Sequence, residues 1–164
     1  ATLPDASVYD TVADEWTPLP PMPALREHCV AAGIDEKIYI VSGRANSIQG
    51  IGTESWVYDP ATETYDERSA LPTPRAGGAG ASLGGRIFVF GGEGNADDRE
   101  GVFHDIEAYD PATDTWEELP DMTIPRHGYA AAVVGDRIYL PGGATSQGFG
   151  ATDFHTVFFF HPEE

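Results

Sequence analysis

The sequence predicts an all-β chain built from repeated four-stranded sheets, and three observations predict it. Gly (19) and Pro (13) are plentiful among 164 residues, which suits short strands and tight turns better than long helices. The apolar tracts are short and rich in β-branched and aromatic residues, as in Ile38-Tyr39-Ile40-Val41 and Ile87-Phe88-Val89-Phe90. Separate landmarks also recur at one shared pair of spacings. Tyr9, Tyr58 and Tyr109 lie 49 and 51 residues apart, with Phe160 another 51 on; Trp16, Tyr65 and Trp116 keep the same steps. So do Arg26, Arg75 and Arg126, and the doublets Ser42-Gly43, Gly91-Gly92 and Gly142-Gly143. Landmarks that shift together through one small insertion mark an internal repeat.

Each unit reads as four strands. The first is small and apolar, over residues 29–33, 77–83 and 128–134. A tight turn follows (Asp35-Glu36-Lys37, Gly84-Gly85-Arg86, Gly135-Asp136-Arg137) and leads to a second strand, residues 38–41, 87–90 and 138–140. These second strands are apolar on both sides, as expected where both faces are covered. The third carries the tyrosine, in Val57-Tyr58 and Ala108-Tyr109. The turn Asp59-Pro60-Ala61-Thr62, repeated as Asp110-Pro111-Ala112-Thr113, then leads to a fourth strand holding Tyr65 or Trp116. A four-stranded sheet cannot bury both faces alone, so such sheets pack around an axis, with small residues at the crowded centre and large ones outside.

An apolar strand ending in a Gly doublet, then Tyr-Asp-Pro, a spaced Trp and Pro-Arg, resembles the kelch repeat, whose period is about 50 residues. The resemblance covers nearly the whole chain and implies a kelch-type β-propeller. Ser42, Tyr65 and Leu25 depart from the pattern, replacing a glycine, a tryptophan and the proline before an arginine.

Residues 1–164 are expected to form a single propeller segment of about three blades. These are placed at 28–70, 77–120 and 128–161, the last completed by a strand around 14–19. Propellers close with about four to eight blades. Either the chain is a piece of a longer propeller, or two copies form a homodimer that closes a six-bladed ring by pairing residues 155–161 with the Trp16 strand of a second copy.

Composition narrows the partners. Asp plus Glu number 27 against 9 Lys plus Arg, a net charge of −18, which repels nucleic acid and anionic membranes. The acidic, lysine-poor balance resembles that of halophilic proteins, and an ordinary acidic secreted protein shares it. No apolar run has bilayer length, and Ala1-Thr2-Leu3-Pro4 lacks the charged start and apolar stretch of a signal peptide. Cys29, the single cysteine, reads as a buried structural thiol.

The connections from strand two to strand three are long and irregular, at residues 44–52, 93–102 and 144–153, while the opposite face carries tight turns. Variable loops on a rigid scaffold are where binding residues lie. Arg26, Arg75 and Arg126 fall on the long-loop face, flanked by His28 and His127. In kelch adaptors that grip acidic peptides, arginines at this position contact ligand carboxylates, so the resemblance implies a protein or small anionic ligand such as a sugar acid. The alternative for the arginines is structural, bonding to backbone carbonyls between blades.

His104 and His155 are repeat-equivalent but lack a third ligand beside them. Asp97-Asp98-Arg99-Glu100 matches no calcium-loop spacing. Trp56 is either a sugar platform or a packing residue. No metal or cofactor is expected. A binding scaffold is the leading reading. A sialic-acid-type mutarotase, with Glu27 or His127 as acid–base group, is the enzymatic alternative.

Overall fold

The computed structural model describes residues 3–160. Ala1 and Thr2, read above for a leader, and His161, the last residue of the expected closing strand, lie outside them.

A hairpin opens the chain, β1 (Ala6–Asp10) with β2 (Glu15–Leu19). Two complete antiparallel sheets follow. The first contains β3 (Val30–Ile34), β4 (Lys37–Val41), β5 (Ser55–Asp59) and β6 (Thr64–Arg68), in that spatial order. The second contains β7 (Ala79–Leu83), β8 (Arg86–Phe90), β9 (Ile106–Asp110) and β10 (Thr115–Leu119). The third has three strands, β11 (Ala132–Val134), β12 (Arg137–Pro141) and β15 (His155–Phe159), and a small hairpin, β13 (Ala144–Ser146) with β14 (Phe149–Ala151), rises from its long loop. These sheets are the blades of a partial β-propeller, and no α-helix occurs among the described residues.

Local chemistry accounts for the turns. The β3–β4 connection places Asp35 and Glu36 at φ 50° and 61°, and Gly84 and Gly85 do the same between β7 and β8 at 59° and 76°. Two successive positive φ values match the right-handed twist of a two-residue hairpin. In the Tyr-Asp-Pro turn, the aspartate carboxylate accepts from the backbone two residues on: Ala61 N to Asp59 at 2.9 Å and Ala112 N to Asp110 at 2.8 Å.

The second strands are buried as their composition requires. Ile87, Phe88, Val89 and Phe90 are all fully buried, because β8 has a blade on each side. Ile87 and Val89 face the first sheet, with Tyr39, Val41 and Val57; Phe88 and Phe90 face the third, with Ile138, Leu140 and Phe158. Inner strands run side by side: Ser82 Oγ donates to Gly33 O at 2.8 Å, and a Cβ on Gly80 would lie 2.1 Å from Val30 Cγ1.

Several details differ from expectation. β7 starts at 79 rather than 77, and Phe158, not Phe160, stands opposite Ile138 as Tyr58 and Tyr109 stand opposite Ile38 and Ile87. The third sheet's first strand covers 132–134 rather than 128–134, because the residues before it are held by the neighbouring sheet. Gly128 N donates to Gly77 O at 2.8 Å and Tyr129 Oη to Phe90 O at 3.1 Å. The loop at 144–153, expected to be irregular, contains the β13–β14 hairpin.

Candidate functional site

Residues just after the Pro-Arg step pair with residues just after the Gly doublet, once per blade. Glu27 bridges Arg44, Ala76 bridges Glu93, and His127 bridges Ala144. Each bridge is held by reciprocal backbone bonds, for example His127 N to Ala144 O and Ala144 N to His127 O, both 2.9 Å. The repeat therefore delivers two side chains per blade to the long-loop face, beside the inner strands.

Those side chains join into one network across the three sheets. Arg44 Nε donates to Glu27 Oε1 at 3.1 Å, and Arg44 Nη1 to Glu93 Oε1 at 2.8 Å. Glu93 Oε2 lies 3.5 Å from His127 Nδ1, and His127 Nε2 lies 2.9 Å from Ser146 O. His28 Nε2 is 3.5 Å from Arg44 Nη2. Glu93 is nearly buried, with 5% of its side chain exposed, whereas His28 retains 44%.

The three repeated arginines do not form a solvent-facing ring. Arg75 is buried: Nε donates to Gly91 O at 2.7 Å, Nη1 to Thr73 O at 2.7 Å, and a further bond closes on the buried Glu107 carboxylate. Arg126 is fully buried, with Nη1 donating to Leu140 O, Gly142 O and Phe154 O, and Nη2 to Thr156 Oγ1. Arg26 donates to Leu25 O at 2.8 Å, pairs with Glu54 and lies 5.3 Å over the Trp56 ring. The Glu54 backbone amide, then Arg26, hold the Glu54 carboxyl below the usual range. Guanidiniums with this many internal acceptors bind blade edges together.

The loops above are fastened to one another. Gly94 packs so closely on the first loop that a Cβ there would lie 2.3 Å from Ile51 Cδ1. Gln147 N donates to Glu100 O at 2.7 Å, and Ser146 Oγ to Glu100 Oε2 at 2.5 Å. Asp98, in the acidic run, caps its own loop by accepting from Glu100 N at 2.8 Å. His104 turns to Met122 O at 3.3 Å, while His155 sits on Tyr139, 5.7 Å between ring centroids. No group of three metal-ligating side chains occurs among the described residues. Trp56 is buried under Arg26, and burial raises the Cys29 thiol above its ordinary pKa.

Arg44 and Glu93 escaped the sequence reading. Their signal was present: each follows the doublet, 49 residues apart, with opposite charges at one repeat position. Only the packing of adjacent blades shows that they meet.

Comparison with known proteins agrees with this architecture. A family model for the KLHDC2/KLHL20/DRC7 Kelch-repeats domain matches residues 1–143. The chain is 33% identical over 148 residues to Kelch-like protein terF of Aspergillus terreus, covering 90% of this chain and 32% of that protein. It is 32% identical over 143 residues to Beta-scruin of Limulus polyphemus, covering 84% and 15%. With human Kelch-like protein 34 the identity is 33% over 146 residues, covering 86% and 22%. The chain thus spans about a third or less of these relatives' length. With its repeated doublets, Tyr-Asp-Pro turns and four-stranded blades, the chain belongs to the kelch-repeat family.

Proposed function

We propose that the chain is a binding scaffold whose partner, a protein bearing a carboxylate-rich determinant, docks on the long-loop face. The observation that carries this reading is the fastening of three loops from three blades into one rim, with the Arg44–Glu93–His127 network beside it. A preorganised rim loses little conformational entropy on binding. The opposite face presents two- to four-residue turns, with little chemistry to distinguish partners.

Within the rim, Arg44, His28 and His127 are the groups suited to an anion. Arg44 already holds two carboxylates, so a ligand carboxylate exchanges with Glu27 on a guanidinium built for such contacts. Arg26, Arg75 and Arg126 serve the same site from beneath, fixing the strand ends from which His28 and His127 project. The chain's charge of −18 opposes any acidic partner at long range, so recognition depends on close contact at the mouth.

Titration calorimetry with a short Glu-rich peptide tests the reading. Binding is expected, lost in Arg44→Ala and weakened in His28→Ala, and retained in Lys37→Ala, which alters a turn on the opposite face. Equal loss in Lys37→Ala, or indifference to Arg44→Ala, overturns it. The acidic composition is taken as adaptation to high salt, with a thermal midpoint that rises as salt is added; a midpoint that falls contradicts it.

A further inference from the structure

The side chains at the bridge positions alternate in charge across the three blades. Glu27 and Arg44 come from the first, Glu93 from the second and His127 from the third, joined in the order Glu27–Arg44–Glu93–His127. Where His127 stands, the first two blades carry Glu27 and Ala76; where Glu93 stands, the others carry Arg44 and Ala144. The alternation is complete only when the His127 ring carries a charge.

Hydrogen-bond chemistry leads to the same requirement. His127 Nε2 lies 2.9 Å from Ser146 O, and Nδ1 lies 3.5 Å from Glu93 Oε2. A backbone carbonyl accepts and cannot donate, and a carboxylate does likewise. Arg44 Nη1 donates to the other Glu93 oxygen at 2.8 Å, so that side chain is an acceptor on both sides. Both ring nitrogens therefore face acceptors, and a neutral imidazole has a proton for only one of them. The His127 side chain is 10% exposed and that of Glu93 5%, which leaves little water for the nitrogen that lacks a proton.

We infer that protonated His127 is a latch between the second and third long loops, and that it opens as pH rises and the imidazole loses its second proton. The bare Nδ1 then sets a lone pair against the Glu93 carboxylate in a nearly dry setting. A ring that turns to relieve this contact draws Nε2 away from Ser146 O, and the β13–β14 hairpin loses a tie to the second blade. The reciprocal backbone bonds between His127 and Ala144 do not involve the ring and persist. Loosening is thus confined to the hairpin.

The charged groups around the ring are few. Glu93 faces it directly; one residue further on are Arg44 of the first loop and Glu100, which accepts from Ser146 Oγ at 2.5 Å. Arg126, its neighbour in sequence, is turned inward onto the Leu140, Gly142 and Phe154 carbonyls. His28, at the opposite end of the network, lies 3.9 Å from Glu27 Oε1 and is exposed, so water screens its charge. The latch belongs to the free chain and stands whatever the loop face binds. Its effect on a partner rests on the binding reading above: such a partner meets a fastened rim at low pH and a looser one at high pH.

Amide hydrogen exchange of the full chain, read by NMR from about pH 5 to about pH 8, the span in which imidazoles exchange their second proton, tests the latch. After correction for the intrinsic pH dependence of exchange, protection of the Gln147 amide is expected to fall by at least about fivefold across that span. This amide donates to Glu100 O at 2.7 Å, across the two loops. The Ala144 amide keeps its protection and shows that each variant is folded. The ring-nitrogen shifts of His127 pass from two protonated nitrogens to one in step with Gln147. Glu93→Gln removes the dependence and keeps protection high throughout, because its amide donates to the bare Nδ1 while its carbonyl oxygen accepts from Arg44. His127→Gln removes the dependence too, and His28→Gln leaves it as in the parent chain. Gln147 protection that is unchanged by pH in the parent chain, or that changes equally in His127→Gln, overturns the latch. No ligand enters this measurement, so that failure leaves the binding reading standing, and a chain that binds no Glu-rich peptide leaves the latch standing.

Discussion

Tyr39 of the first sheet meets Tyr109 of the second at 5.8 Å between ring centroids, and the same two ladder positions bring Phe88 to Phe158 at 5.3 Å. The blade interface is thus itself a repeated object, one aromatic from a second strand against one from the next blade's third strand. Each pair is tilted rather than stacked face to face, as the ring quadrupole favours.

Phe88 is fully buried and also touches Phe160 at 4.9 Å. Phe88→Ala is expected to cost about 3–5 kcal/mol, the range for truncating a buried aromatic. Urea unfolding checks it. A double-mutant cycle between Tyr39 and Tyr109 is expected to give a coupling of about 0.5–1.5 kcal/mol; zero coupling would mean that the ring contact adds nothing beyond area.

Arg75 and Glu107 are buried together, with 1% and 2% of their side chains exposed. Arg75→Ala strips Glu107 of its counter-ion and leaves the Gly91 and Thr73 carbonyls without their donor, an expected loss of about 3–5 kcal/mol. Replacing both residues by apolar ones of similar size is expected to cost much less, because no uncompensated charge remains. Thermal unfolding of the two variants distinguishes a structural arginine, which gives this order, from one that acts mainly on ligand.

Gly80 marks the closest approach of the inner strands, where an added Cβ would lie 2.1 Å from Val30 Cγ1. Val30 is β-branched and buried, so it has little room to yield. Gly80→Ala is expected to destabilise by about 1–3 kcal/mol, and Val30→Ala in the same chain to recover part of that loss. Chemical denaturation of the single and double variants measures the recovery.

The architecture was legible because its landmarks are positional: a doublet, a Tyr-Asp-Pro turn and a spaced aromatic keep step whatever lies between them. The arginines show the limit of that reading. Arg26, Arg75 and Arg126 share one repeat position, yet Trp56 and Glu107, also equivalent to each other, receive the first two guanidiniums in different ways, and Thr156 receives the third. Where a guanidinium points depends on the depth of its strand end and on the carbonyls around it, neither of which a spacing encodes. Arg44 and Glu93 were missed for the same reason, since their contact crosses between blades. The β13–β14 hairpin lies where the repeat imposes no pattern.

At the outer turn of the second blade, Tyr109 Oη donates to Asp114 Oδ1 at 2.6 Å, and Ser69 N to the same oxygen at 2.9 Å. The tyrosine hydroxyl, then the Ser69 amide, hold the Asp114 carboxyl below its ordinary value. A depressed carboxyl stabilises the fold above its unfolded pKa, and that contribution disappears as pH falls through the folded one. Tyr109 has the opposite displacement: burial first, then Asp114, push its phenol well above the ordinary range. Its contribution is complete below the ordinary phenol pKa and is lost as pH rises beyond it. Asp114→Asn is the test, because asparagine tolerates the φ of 54° at this position while removing the charge. Its acid unfolding limb is expected to be shallower than that of the parent chain, and its alkaline limb shallower too, because the Tyr109 phenol loses the charge that helps to raise it and the gap between its folded and unfolded titration narrows. A variant whose two limbs match those of the parent chain would show that the Tyr109–Asp114 contact carries no linkage to folding.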